Sequence, residues 1–436
     1  MNRAYDPFGI YTRLEHGGDF TAAARALADA DDTRHHASNS DEQDVSQGEV
    51  TLENVIETFR EWLDLPDTGF VEILLGAYVA NLIPGDPVWL LGVGPSSGGK
   101  TERLVALTGL PRTYLVSTIT EGALLSGTPS RDKAKGAKGG LLRELDTFGY
   151  LIAKDFTSLL SMQDKIRMTT LAALREIYDG SWDRPLGIDG GKVLSWKGKV
   201  AMLCGCTDAI DSHYAVIATM GQRFMLFRLP KIDAHAQAEK AFASNAKEVA
   251  MREELRNAAA QFLRGRTFNH IDPTIASPAM REHLIQLVML TVVARSPVER
   301  DPRKRDITLI PDPEAPARAT KVIGKLWAAL RAIGIADQRA WELVRKVGLD
   351  SMPKLRQTVL LTLAVTEIAK STTDIAIAID YPTQTTRRAL EDLAGHKVIK
   401  RAKIEGKRAD HWMLTDEIVA RFNAIPKTIP ESHFHE

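Results

Sequence analysis

From Val88 to Pro230 the chain alternates short apolar runs with longer stretches in which apolar residues recur at helical spacing. The runs are Val88-Trp89-Leu90-Leu91, RTYLVSTIT ending at Glu121, Tyr150 to Asp155, KVAMLCGCT ending in Thr207, and the apolar part of MGQRFMLFRLP. Short apolar runs predict buried strands, and ERLVALTGL and QDKIRMTTLAALREIYDG between them predict helices, so this part reads as an α/β domain. Upstream, Leu52, Val55, Ile56, Phe59, Trp62 and Leu63 share one helical face, and FVEILLGAYVANLI follows the Leu65-Pro66-Asp67 break as a second helix. Downstream, residues 233–300 read as helices. A linker, LIPDPEAPAR, and the helices TKVIGKLWAALRAIG and QRAWELVRKV lead to a last segment that runs helix, helix, turn, helix and two strands. The pattern divides the chain into a mostly disordered segment (1–50), a core with leading helices (51–232), a helical segment (233–300), a linker and helical connector (301–350), a small terminal domain (351–426) and a tail (427–436).

Composition narrows the classes. Lys plus Arg equals Asp plus Glu at 56 each in 436 residues, so no global field drives binding to nucleic acid, and any such surface is local. Cys204 and Cys206 share one face of an apolar strand and read as small core residues of a reduced protein. No apolar run reaches the length of a membrane span, and the N-terminus lacks the layout of a signal peptide. A soluble, cytoplasmic protein without a membrane partner is expected. His35 and His36 stand in the polar N-terminal stretch without further ligands, which argues against a metal site.

The strongest chemical signal is PVWLLGVGPSSGGKT, residues 87–101. Gly94, four residues (Pro95, Ser96, Ser97, Gly98) and Gly99-Lys100-Thr101 fit G-x-x-x-x-G-K-[ST], a loop whose backbone N–H groups close around phosphates. Lys100 is expected on the phosphates of ATP and Thr101 on Mg2+, with the following helix aiming its N-terminus at the anion. The Tyr150 strand ends in Asp155, placed to complete the magnesium shell. Between the second strand and this one, Gly122 to Gly140 form a loop with a basic excess, either a solvated surface or a reach toward a phosphate backbone.

Strand, phosphate loop, acid-ending strand, helix, a hairpin tipped by Asp189-Gly190-Gly191, a strand ending in Thr207 and then MGQRFMLFRLP resemble, in that order, AAA+ ATPases with a hairpin before the sensor-1 strand, the class that includes the MCM helicases. Over residues 52–300 this resemblance implies an α/β P-loop NTPase with an AAA+-type three-layer core and a helical lid. It implies that Thr207 places the attacking water, that Arg223 in Gln222-Arg223-Phe224 serves the neighbouring subunit's γ-phosphate, that Lys192 and Lys197 carry the hairpin to DNA, and that Arg281 is the sensor on the lid. One departure bears on hydrolysis. Where the family has an Asp-Glu pair, this chain has Ala153-Lys154-Asp155-Phe156, so one carboxylate is missing under either alignment. Glu121 either substitutes as the base, as in RecA-like enzymes, or caps the helix after it.

The terminal domain resembles the MarR-like winged helix-turn-helix group. Gln384, Thr385, Arg387 and Arg388 begin the expected recognition helix, and Lys400, Arg401, Lys403, Lys407 and Arg408 line the expected wing. From Thr383 to His411 there are eight Lys or Arg against four Asp or Glu, a local excess in a neutral chain. The whole reads as an ATP-hydrolysing protein that acts on DNA as a ring or filament, a helicase or translocase. The alternative is a nucleotide-switched DNA-binding regulator with little turnover, which the missing carboxylate favours. The DNA-binding tail disfavours a metabolic kinase.

Overall fold

Each central apolar run is long enough for one strand and is covered on both faces, which is the condition for parallel pairing. The computed structural model describes residues 50–127, 139–186, 191–214, 217, 223–231, 233–268, 270–366, 368–402 and 409–434. Its strands in chain order are β1 (Trp89–Val93), β2 (Thr113–Val116), β3 (Phe148–Ala153), the hairpin β4 (Ser181–Pro185) and β5 (Val193–Lys197), β6 (Lys199–Cys206) and β7 (Phe224–Arg228). Five of them form one parallel sheet in the order β2-β3-β6-β1-β7. The strands β1 and β7 are buried throughout, β3 and β6 after their first residue, and only β2, on the edge, is half-exposed.

Before β1, Val55, Ile56 and Phe59 bury one face of α1 (Leu52–Trp62), as their spacing predicts, and α2 (Gly69–Leu82) is buried along nearly its whole length. The Asn81 side chain fixes α2 to the start of β1. Its amide nitrogen donates to the carbonyls of Ala77 and Val88, and its oxygen accepts from the Val88 N–H at 2.8 Å, so a buried amide is fully used. After β1 come α3 (Lys100–Ala106), α4 (Glu121–Leu124) and α5 (Leu141–Leu145). Then α6 (Thr157–Leu160) and α7 (Asp164–Tyr178) follow β3. Leu171, Leu174 and Ile177 of α7 pack with Trp182 and Trp196 of the hairpin in the cluster that covers one face of the sheet.

After β6 and β7 the chain forms α8 (Ala209–Ser212), α9 (Ala234–Ala243), α10 (Glu248–Leu263), α11 (Pro278–Arg295), α12 (Ala317–Ala332) and α13 (Asp337–Asp350). Of the helices in the expected connector, α12 packs on α2 and α13 on β7, with Trp327 and Trp341 fully buried. The C-terminal end of α13 also closes the sheet edge. Asp350 Oδ2 accepts from the Arg228 N–H at 2.7 Å and Ser351 Oγ from the Leu226 N–H at 2.9 Å, so side chains occupy donors that a further strand would otherwise use.

The last segment contains α14 (Lys354–Ala364), α15 (Thr372–Ile379), α16 (Thr383–Gly395) and α17 (Asp416–Asn423), with strands β10 (Lys370–Ser371), β11 (Ile399–Ala402) and β12 (His411–Leu414) in an antiparallel sheet of order β10-β12-β11. A short pair, β8 (Glu299–Arg300) and β9 (Ile307–Leu309), precedes α12. Arg300 binds Glu391 and Asp392, and Arg356 also binds Asp392, which fixes α16 from two sides. The tail is docked as well, with Trp341 Nε1 on the Pro426 carbonyl and His283 against His433. No helix among the described residues is long and apolar enough to cross a membrane.

Two of the shifted boundaries bear on candidate site residues. The strand expected to reach Glu121 ends at Val116, because the Ser/Thr-rich residues after it leave the ladder and Thr120 caps α4 by accepting the Ala123 N–H. Glu121 therefore opens a helix rather than closing a strand. The acid strand ends at Ala153, two residues before Asp155.

Candidate functional site

The loop from Gly94 to Thr101 joins β1 to α3 and turns back at two left-handed residues, Ser97 (φ 62°) and Gly99 (φ 70°). Gly99 takes that conformation without strain, whereas Ser97 is a non-glycine residue held there. Lys100 is 7% exposed, and its amine donates to the carbonyls of Gly94 at 2.8 Å and Pro95 at 2.5 Å. Burial lowers its pKa from the ordinary lysine value, while the charges of Asp208 and Asp155 pull it back up. Arg103 braces the loop from behind, donating to the carbonyls of Gly98 at 3.1 Å and Asp64 at 3.2 Å. Thr101 is exposed on the first turn of α3.

The sheet brings the other groups to the same edge. Val93 of β1 stands opposite Cys206 of β6, and Ala153 of β3 opposite Cys204, so the residues after these strands emerge side by side. Asp155 accepts the Thr157 N–H at 2.9 Å, and the hydroxyls of Thr157 and Thr207 are 3.1 Å apart, which ties the end of β3 to the end of β6. Asp208, next to Thr207, is exposed and close enough to act on the charge of Lys100, and no motif in the sequence marks it. The only signal was its position directly after a strand-end threonine. Both cysteines are free and buried, and burial pushes the Cys206 thiol up to about 11, as expected of inert core residues.

From β1 the chain crosses to β2 on one side, and from β6 to β7 on the other. That divergence opens a crevice at the carboxyl ends of β1 and β6, the place where open α/β sheets bind ligands. A cavity of about 250 Å³ adjoins the loop there, walled by Leu63, Pro66 and Phe70 on one side and by Lys231, Gln237 and Lys240 on the other. Gln237 of α9 donates to the Ser97 carbonyl at 2.6 Å, and Lys240 to the carbonyls of Arg60 and Glu61, so α9 spans from the loop to α1. Arg252 of α10 grips Glu102 through two bonds of 2.9 Å. None of these contacts was visible in the sequence.

Other expected site residues lie elsewhere or are already engaged. Arg223 is 5% exposed and meets Asp179 at 2.5 Å in its own chain. Glu121 binds Arg184 at 2.8 Å and follows β2, three strands from β1, or roughly 14 Å across the sheet. Arg281 lines a different cavity with Lys321 and Lys325, because α11 packs against α12 and α13 rather than over the loop. Lys192 and Lys197 are exposed on the hairpin, and Asp189 and Gly190 at its tip lie outside the described residues. Gln384, Thr385, Arg387 and Arg388 are exposed on the first turns of α16. Arg387 pairs with Asp410 at 3.0 Å, Lys400 with Asp416 at 2.9 Å, and Arg401 lies over the Trp412 ring. Lys403, Lys407, Arg408, Gln222, most of the basic loop after Gly122, and His35 and His36 lie outside the described residues.

No protein-family model and no curated protein matches the chain. Among solved structures, the apo A form of the NrS-1 C-terminal region is similar over 84% of this chain and 76% of that one, at 12% identity and a TM-score of 0.27. A score of that size does not establish a common fold.

Proposed function

We propose that this chain binds ATP at the Gly94–Thr101 loop, hydrolyses it, and couples the nucleotide to DNA as an AAA+-type oligomer with a C-terminal winged helix. The observation that carries this reading is the convergence of Lys100, Asp155, Thr207 and Asp208 at one edge of a parallel sheet, beside a glycine loop with a left-handed turn. The residues fit the ligands. Loop N–H groups and Lys100 hold the phosphates, and the apolar cavity beside Phe70 takes the base. Mg2+ held by Thr101 and Asp155 would neutralise charge on the transferred phosphoryl group. Thr207, fixed through Thr157, orients the attacking water, and Asp208 supplies the second carboxylate that the run Lys154-Asp155-Phe156 lacks. The exposed start of α16 meets DNA base edges and phosphates, while Lys400, Arg401 and the hairpin lysines add phosphate contacts.

A second reading, a DNA-binding regulator that ATP switches with little turnover, draws on a specific pair of contacts. Arg223 and Glu121, two of the groups expected to assist hydrolysis from outside the loop, are both engaged in ion pairs within the chain. Steady-state ATP hydrolysis with and without single- and double-stranded DNA, using Lys100→Ala as the blank, separates the readings. DNA-stimulated turnover lost in Lys100→Ala and strongly reduced in Asp208→Asn supports the motor. Tight ATP binding without turnover under any DNA condition removes it and leaves the switch, and failure of ATP to bind removes both.

A further inference from the structure

A second cavity, of about 490 Å³, opens at the edge of the sheet opposite the phosphate loop. It lies between the end of α2, the turn before β2, the start of β3 and the last turn of α10. Arg112, Arg264 and Arg266 line it, and among the described residues no carboxylate does. Arg112 and Arg264 bring two guanidinium groups to this concave site, which favours an anion there.

The wall between them is aromatic. Tyr78 and Tyr150 stack at 4.2 Å between ring centroids, and Phe148 stands edge-on to Tyr150 at 5.3 Å. Both hydroxyls are already used, Tyr78 donating to the Pro111 carbonyl and Tyr150 to the Tyr78 carbonyl. Both tyrosine rings are buried, so the ring surface the wall offers is chiefly that of the half-buried Phe148. Arg112 lies over the Phe148 ring at 5.8 Å, and Arg266 over Phe262 at 4.4 Å. The backbone at Arg112 is left-handed (φ 58°), a costly conformation for a residue with a side chain, and its carbonyl is pinned by the Tyr150 N–H at 2.9 Å. A strained backbone thus holds a guanidinium beside an aromatic wall, and glycine would serve the turn better.

We propose that this cavity binds a nucleotide unit, with the planar base against the aromatic wall and the phosphate on Arg112 and Arg264. Its volume suits a ligand of that size, and interleaved arginine and aromatic groups are the usual means of holding one. The site is independent of the phosphate loop and does not rest on ATP hydrolysis. The unit is either a free mononucleotide or one residue of a single strand.

The test uses full-length protein carrying Lys100→Ala, which silences the loop. AMP is titrated by calorimetry and a short fluorescein-labelled oligo(dA) by anisotropy, before and after adding Arg112→Gly or Arg264→Ala. Glycine adopts the Arg112 conformation without strain, so Arg112→Gly is expected to keep or raise the melting temperature while weakening binding at least ~10-fold, as is Arg264→Ala. Weakening of AMP identifies a free nucleotide as the ligand, and weakening of the oligonucleotide alone identifies a strand. If neither probe binds, or if binding is unchanged in both variants, the proposal is overturned.

Discussion

Arg223 meets Asp179 at 2.5 Å and lies over the Tyr178 ring at 5.3 Å, so the residue leading into β7 is bonded to the end of α7. The arginine is buried, while Asp179 is half-exposed, which moderates the pair without abolishing it. Arg223→Ala is expected to lower the stability of the isolated chain by roughly 1–3 kcal/mol, measured by urea denaturation. An unchanged midpoint would show that the contact contributes nothing within one subunit.

Gln237 is the contact through which α9 touches the phosphate loop, donating to the Ser97 carbonyl at 2.6 Å. One such bond is worth about 1 kcal/mol, or roughly fivefold in an equilibrium. Gln237→Ala should release a fluorescent ATP analogue roughly five times faster in stopped-flow measurements, with little change in melting temperature. Equal release rates would mean that α9 does not hold the loop over bound nucleotide.

Gly205 lies in β6 between the two cysteines, and a Cβ there would stand 2.5 Å from the Lys154 carbonyl oxygen. That neighbour is backbone and leads directly into Asp155, so it cannot rotate away. Gly205→Ala should destabilise the chain by about 1–3 kcal/mol and displace Asp155, lowering ATP turnover more than ATP binding. Thermal melting and parallel binding and turnover assays check both parts, and wild-type values in all three would contradict the close packing.

Lys199 is mostly buried, donates to the Ile83 carbonyl at 2.6 Å, and has its pKa lowered from 10.5 to about 7, first by burial and then by the charge of Lys325. Between about 7 and 10.5 the unfolded chain binds the proton that the folded chain has released, so this group makes stability rise with pH through that window and fall as pH drops through about 7. Lys199→Met removes the effect. Its melting temperature relative to wild type should be highest near pH 6–7 and decline toward pH 9. A difference that stays constant with pH would show that Lys199 does not titrate in the native state.

The local part of the fold was readable because it depends on spacing. Val55, Ile56 and Phe59 marked the buried face of α1, and the apolar runs marked the strands, with errors confined to ends such as Val116, where hydroxyl side chains compete with the ladder. The glycine loop was readable for the same reason, since its residues are contiguous. The order of the strands was not readable from their spacing, because which strand lies beside β1 depends on the length and path of crossovers rather than on the strand itself.

The chain's sequence alone therefore determined that a glycine loop follows a buried strand, that strands and helices alternate after it, and that a locally basic segment lies near the C-terminus. Tertiary structure decided which distant residues share an environment. It put Asp208 near Lys100 and Gln237 on Ser97, held Arg223 and Glu121 in ion pairs, and set Arg281 at another cavity. It also gathered Arg112, Tyr78 and Arg264 around one space, although they lie far apart in the chain. The physical reason is that periodicity records which face of an element avoids water, whereas the partner of a polar side chain depends on how separate elements pack, and no local spacing carries that information.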